Sequence, residues 1–244
     1  MRTIATLALA TAIGLTFGGA AKAESRDFAL NNFDRIDIAT GLDAVVTIGD
    51  SFAVRAESGS ADALNNLELS VADGVLTARL DQDFLDFIIS GGLVGMLLNS
   101  GNAVKINITL PAISGISASS GADVSGTGIT SDQLDLEASS GADVKLTGAT
   151  LGAVRAGASS GASIDLSGTC TSIDAEASSG SGIDAGDLVC ATATAGASSG
   201  ADIAVHATQS VKAEASSGGD IDIEGNPAQT DFDSSSGGDI SLDD

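Results

Sequence analysis

Beyond residue 112 the chain alternates apolar and polar residues in short runs, and the runs recur. "ADVKL" (142–146), "SIDL" (163–166), "DIAV" (202–205), "DIDI" (220–223) and "DISL" (239–242) each place an apolar residue at every second position. A second set, "LDLEA" (134–138), "IDAEA" (173–177) and "VKAEA" (211–215), follows the same rule. Period two predicts strands with one buried face. Turn clusters such as "TGAT" and "SGTC" separate the runs, and helical periodicity is almost missing.

The runs are punctuated by Ala-Ser-Ser-Gly. Copies begin at Ala118, Ala138, Ala158, Ala177, Ala197 and Ala215, with a variant at Ser234. Their glycines, Gly121, Gly141, Gly161, Gly180, Gly200, Gly218 and Gly237, are spaced 20, 20, 19, 20, 18 and 19 residues apart. A period near twenty is the mark of a solenoid, because one such unit cannot bury its own apolar face and must stack on its neighbours. The predicted fold is all-β: a single-chain parallel β-helix (β-solenoid), right-handed, with about 20 residues per coil and about 4.8 Å between coils. Glycine suits the corner because it tolerates backbone that a Cβ resists.

Stacking turns sequence phase into ladders. Cys170 and Cys190 each lie ten residues before a repeat glycine, so adjacent coils place them within disulfide reach. Four residues before each glycine the row reads Glu137, Gly157, Glu176, Gly196, Glu214, Asp233, with carboxylates mostly separated by glycine. Six before, it reads Asp135, Arg155, Asp174, Thr194, Lys212, Asp231, with opposite charges as neighbours.

The earlier part, Phe28 to Leu110, lacks the four-residue mark but still alternates: "FDRIDIA", "AVVTIG", "FAVRAE", "LELSVADGVLTARL" and "VKINITLP", with Asp73-Gly74 as a turn. Residues 24–110 are expected to form irregular opening coils, and 111–244 the regular ones; a separate β-domain is the alternative. The segment 84–101 breaks the pattern. It is apolar and interrupted by glycine, too short for a confident membrane span. It reads either as a loop or short helix over the end or flank of the solenoid, or as a partner-contact patch built on Phe84, Phe87, Ile88, Leu93, Met96 and Leu97.

Composition changes the picture in two ways. Residues 1–23 have a basic head at Arg2, an apolar run from Ile4 to Phe17 and Ala21-Lys22-Ala23 before Glu24, the pattern of a secretory signal peptide. Removing it leaves eight basic residues against thirty-three acidic ones, a net of −25 against −23 for the whole chain. Such a chain suits cations, basic proteins or cation-bridged glycans, and nucleic acid is excluded as a partner because its binding requires neutralised phosphates. Export, to periplasm, outer surface or medium, also favours the disulfide. No membrane span is expected in the mature chain, and no outer-membrane barrel of its own.

The passages "FDRIDIATGLDAVVTIGDSFAVRAE", "LELSVADGVLTARL" and "VKINITLPAISGISASSGADVSGTG", in that order and followed by the repeat, resemble the bacterial DUF2807 family, the autotransporter adhesin head GIN domain. The likeness runs from about Phe33 to Ile240. It implies a β-helical fold and an exported, cell-envelope setting, and it brings no catalytic residues.

Candidate chemistry is sparse. Asp123, Asp143, Asp202, Asp220 and Asp239 stand two residues after a repeat glycine, with Ser163 and Gly182 breaking the row. They form either a cation ladder, with calcium as the possible cofactor, or a set of turn caps. His206 is the one imidazole, and no nucleophile elbow precedes a helix. Arg155, Lys145 and Lys212 could serve a polysaccharide-acting site, but the aromatic platforms that hold sugars are absent. The expected function is therefore non-enzymatic: an adhesin-like binding or spacer β-helix whose partner is an envelope glycan or protein, with oligomerisation open. The alternatives are a β-helix polysaccharide lyase or hydrolase, and a calcium-stabilised scaffold.

Overall fold

The computed structural model describes residues 24–81 and 104–243. The leader and the contact patch expected around Phe84–Leu97 lie outside the described residues. The chain is a β-solenoid of about six turns, successive turns being about 20 residues apart.

Four long strands make the regular coils: β11 (Asp143–Ser159), β12 (Ser163–Ser178), β13 (Gly182–Ser198) and β14 (Asp202–Ser216). Each pairs in parallel with the next. They run nearly the whole coil where separate short strands are expected. The reason is that the mid-coil turn clusters are absorbed as register shifts, such as that between Leu146 and Ala149 around Gly148. At Gly168 a Cβ would lie 2.0 Å from the carbonyl oxygen of Ala149, so only glycine fits that bend. The stack continues down through β10 (Thr130–Ser139), β9 (Asp123–Thr127) and β8 (Gly115–Ser119). It continues up through β15 (Asp220–Glu224), β16 (Gln229–Ser235) and β17 (Asp239–Asp243).

The opening segment joins the same stack. β2 (Arg35–Ile38) lies beside β8, and β3 (Asp43–Ile48) beside β9, both in parallel. β6 (Val75–Leu80) extends one sheet below β2, and β7 (Val104–Leu110) the other below β3. Antiparallel strands flank them: β5 (Leu67–Ala72) on β6 through the Asp73-Gly74 turn, β4 (Ala53–Ser58) on β7, and β1 (Glu24–Phe28) on β4. One short helix, α1 (Ala61–Asn65), is capped by the Ser60 hydroxyl accepting from the Ala63 amide.

Inward positions are Ala, Val, Ile and Leu almost throughout, and among the described residues Phe33 is the one buried aromatic ring. The core is thin because stacked small residues leave no gap for a larger one. Cys190 is buried in it and bonded to Cys170, with Cα atoms 4.5 Å apart in directly paired positions.

Each corner is a two-residue turn in which both central residues are left-handed. The glycines lie at φ 67° to 82°, and the serine before each, from Ser120 to Ser236, lies at 52° to 59°. The amide of Ala142 closes one such turn on the Ser139 carbonyl at 3.2 Å, and Ala122 and Ala162 repeat the bond. This is the geometry of a type I′ turn. From the sequence, glycine alone is expected to need the special backbone. The serine shares it, although its Cβ makes that conformation uncommon.

Candidate functional site

The corner and the strand leading into it build the main concavity. From β8 to β14 the three positions before each corner present an outward residue, an inward alanine and an outward serine, and in the last coil an exposed Ser234 takes the alanine's place. Ala138, Ala158, Ala177, Ala197 and Ala215 are buried. The outward residues stack upward in the expected order, Glu137, Gly157, Glu176, Gly196, Glu214 and Asp233, with Ser117 beneath Glu137. The serines Ser139, Ser159, Ser178, Ser198 and Ser216 stack beside them. Together they line one groove of about 620 Å³ that runs along the solenoid axis from Ser117 to Ser235. Its lining is carboxylate, hydroxyl, methyl and bare backbone, with no amine, imidazole or aromatic ring. Glutamates two coils apart stand about 9.6 Å from one another along the axis.

The charged row beside the groove also stacks as expected, Asp135 through Asp231. Arg155 reaches Asp174 at 3.7 Å. Lys212, by contrast, turns along its own strand to Glu214 at 2.6 Å rather than to Asp231, its direct neighbour one coil on. The carboxylate of Glu214 is what raises the lysine's pKa most. Below Asp135 the row continues to a residue the sequence reading missed. Arg35 stacks under Gly115 and extends over it to Asp135 at 3.4 Å. A Cβ on Gly115 would meet the Arg35 guanidinium at 2.8–2.9 Å, so this glycine is the opening through which the ion pair forms. The other oxygen of Asp135, Oδ1, is buried with no hydrogen-bond partner.

The aspartate ladder lies on the far side of the corner. Asp123 and Asp143 pair directly, Ser163 and Gly182 interrupt, and Asp202, Asp220 and Asp239 follow. The row begins one coil earlier than expected, at Asp43, which pairs with Asp123. Thr40 and Gly41, at φ 64° and 66°, form the corner before it. "ATGLD" is thus a disguised copy of "SSGAD", and the signal that could reveal it is the Gly-x-Asp spacing. Asp123 sits between two carboxyl groups. Its pKa is raised, first by partial desolvation and then by the neighbouring carboxyl groups of Asp43 and Asp143. Among the described residues no group of three or more His, Cys, Asp or Glu side chains is placed to hold a metal ion. His206 stands 3.7 Å from Glu224, away from the groove.

The fold and the site together define a single-chain β-solenoid with a carboxylate- and hydroxyl-lined groove along its axis. The family model described as "Putative auto-transporter adhesin, head GIN domain", DUF2807, matches residues 32–227, and the chain belongs to that family. Solved structures with the same fold include a "putative adhesin" from Bacteroides fragilis NCTC 9343 (22% identity, TM-score 0.77, covering 92% of this chain and 98% of the other). A "Putative lipid binding protein" from Parabacteroides distasonis ATCC 8503 follows at 15% identity and TM-score 0.64, covering 91% and 98%. A "putative adhesin" from Parabacteroides merdae ATCC 43184 has 13% identity and TM-score 0.61, covering 93% and 98%. No curated protein matches the chain.

Proposed function

We propose that this chain is an exported, non-enzymatic, adhesin-like module of the cell envelope that binds its partner along the acidic groove. In this reading residues 1–23 are the leader, 24–110 the opening coils and 111–244 the coils that carry the groove. The observation that carries it is the periodic lining: six consecutive coils devote the same outward positions to carboxylate or glycine and to serine. A carboxylate recurs every second coil with no cationic side chain in the lining, and a partner of opposite charge fits that repetition. The family description and the interstrand disulfide support an exported setting.

The test is a binding screen of the purified protein against cationic and anionic polymers at rising salt, together with glycan digestion assays. Retention of polycations, weakened by salt and by Glu137→Gln/Glu176→Gln, is the expected result. Preference for polyanions, or glycan turnover lost on mutating one aspartate cluster, would reject the proposal.

A further inference from the structure

Two residues in the groove are unexplained by the fold. Gly157 and Gly196 lie inside long strands, where glycine weakens pairing and packs nothing. Neither has the positive φ that would demand glycine. Nor is either crowded. A Cβ on Gly196 would meet nothing within 4 Å, and one on Gly157 only the Leu136 carbonyl oxygen, at 3.9 Å. Keeping Glu137, Glu176 and Glu214 apart does not require glycine either, since serine or threonine would do so with better strand propensity. What glycine alone supplies is bare backbone at the groove floor, open to close approach from outside the chain.

Resting on the acidic-groove reading, we infer that the groove holds a basic peptide segment in polyproline II conformation, its backbone seated on Gly157 and Gly196 and its basic side chains on the intervening carboxylates. The carboxylate repeat is two coils, about 9.6 Å. Polyproline II rises about 3.1 Å per residue with three residues per turn, so every third side chain recurs on one face at about 9.3 Å. A β-strand repeats a face at about 6.6 Å or 13 Å and matches neither. An α-helix is too thick to bring its backbone to the glycines. The unsatisfied polar groups of a polyproline II backbone meet the row of serine hydroxyls along the groove. A glycan is disfavoured because no aromatic ring lines the site. Glu214 shares its charge with Lys212, and Asp233 one coil further on restores the negative potential at that end.

The experiment measures fluorescence anisotropy of two labelled nonapeptides on the purified protein. One has lysine at every third position in a proline background; the other carries the same three lysines at alternate positions. Glucosamine oligomers serve as competitors. The expected result is at least tenfold tighter binding of the every-third peptide. The protein variant Gly157→Thr/Gly196→Thr should lose that binding at least tenfold with an unchanged circular dichroism spectrum and a melting temperature no lower than that of wild type. Gly157→Ala/Gly196→Ala covers the case in which threonine disturbs the strands. Full affinity in both glycine variants overturns the seating on the floor. Equal affinity for the two peptides overturns the every-third match while leaving the acidic groove standing. Glucosamine oligomers that bind better than either peptide overturn the partner class. No peptide binding, together with no effect of Glu137→Gln/Glu176→Gln on polycation retention, removes the groove reading itself.

Discussion

Replacing Asp123 by asparagine should stabilise this protein at neutral pH, and the gain should vanish in acid. Asp123 is exposed and sits one coil from Asp43 and one from Asp143, about 4.8 Å each way. Two unit charges at that separation repel by about 0.9 kcal/mol in water. Screening at physiological salt, with a Debye length of about 8 Å, leaves about 0.5 kcal/mol for each neighbour. The two together cost about 1 kcal/mol when all three are ionised, and partial desolvation of Asp123 adds to that in the same direction. Its folded pKa lies above the unfolded value near 4. The folded state therefore takes up the proton more readily. The penalty is absent below the unfolded value, appears as pH rises through the folded value, and is complete at pH 7. Urea melts of wild type and Asp123→Asn at pH 7 and pH 3 measure this directly. We expect the variant to be more stable by about 1 kcal/mol at pH 7, by much less in 1 M salt, and equal at pH 3. A loss of stability at pH 7 would refute the reasoning and restore the aspartate as a turn cap. So would millimolar calcium that raises the wild-type midpoint and leaves the variant unmoved, since the row would then be a cation site.

Two further outcomes test the stacking. The double variant Cys170→Ser/Cys190→Ser opens a 20-residue loop and should lose about 3 kcal/mol in the chain-entropy model, read as a lower urea midpoint with retained β-sheet circular dichroism. Gly115→Ala should displace the Arg35 guanidinium from Asp135. The expected cost is about 1 kcal/mol, whereas Gly196→Ala, with open space around it, should cost nothing.

The regular coils were legible because a twenty-residue period converts spacing into neighbourhood. Cys170 faces Cys190, and Glu137 lies under Gly157, as counting back from the glycines requires. The base of the stack was hidden for the opposite reason. Arg35 and Asp43 join rows whose other members lie 80 or more residues away, and only the Gly-x-Asp spacing before Asp43 hints at it locally. The left-handed serines were equally invisible, since serine is ordinary in sequence and unusual only in φ. The groove could be anticipated as a row of alternating glutamate and glycine. That its glycines are free of internal purpose needed the space around each one.

That alternation has a consequence for how such a protein can lengthen. A duplication of one coil would bring two carboxylates, or two bare stretches of backbone, into adjacent steps, as already happens where Asp233 follows Glu214. Copying coils in pairs preserves the rhythm and extends the contact track by a whole increment. Reach, and with it the number of side chains engaged at once, could thus be tuned by gene duplication without redesigning a single residue of the interior.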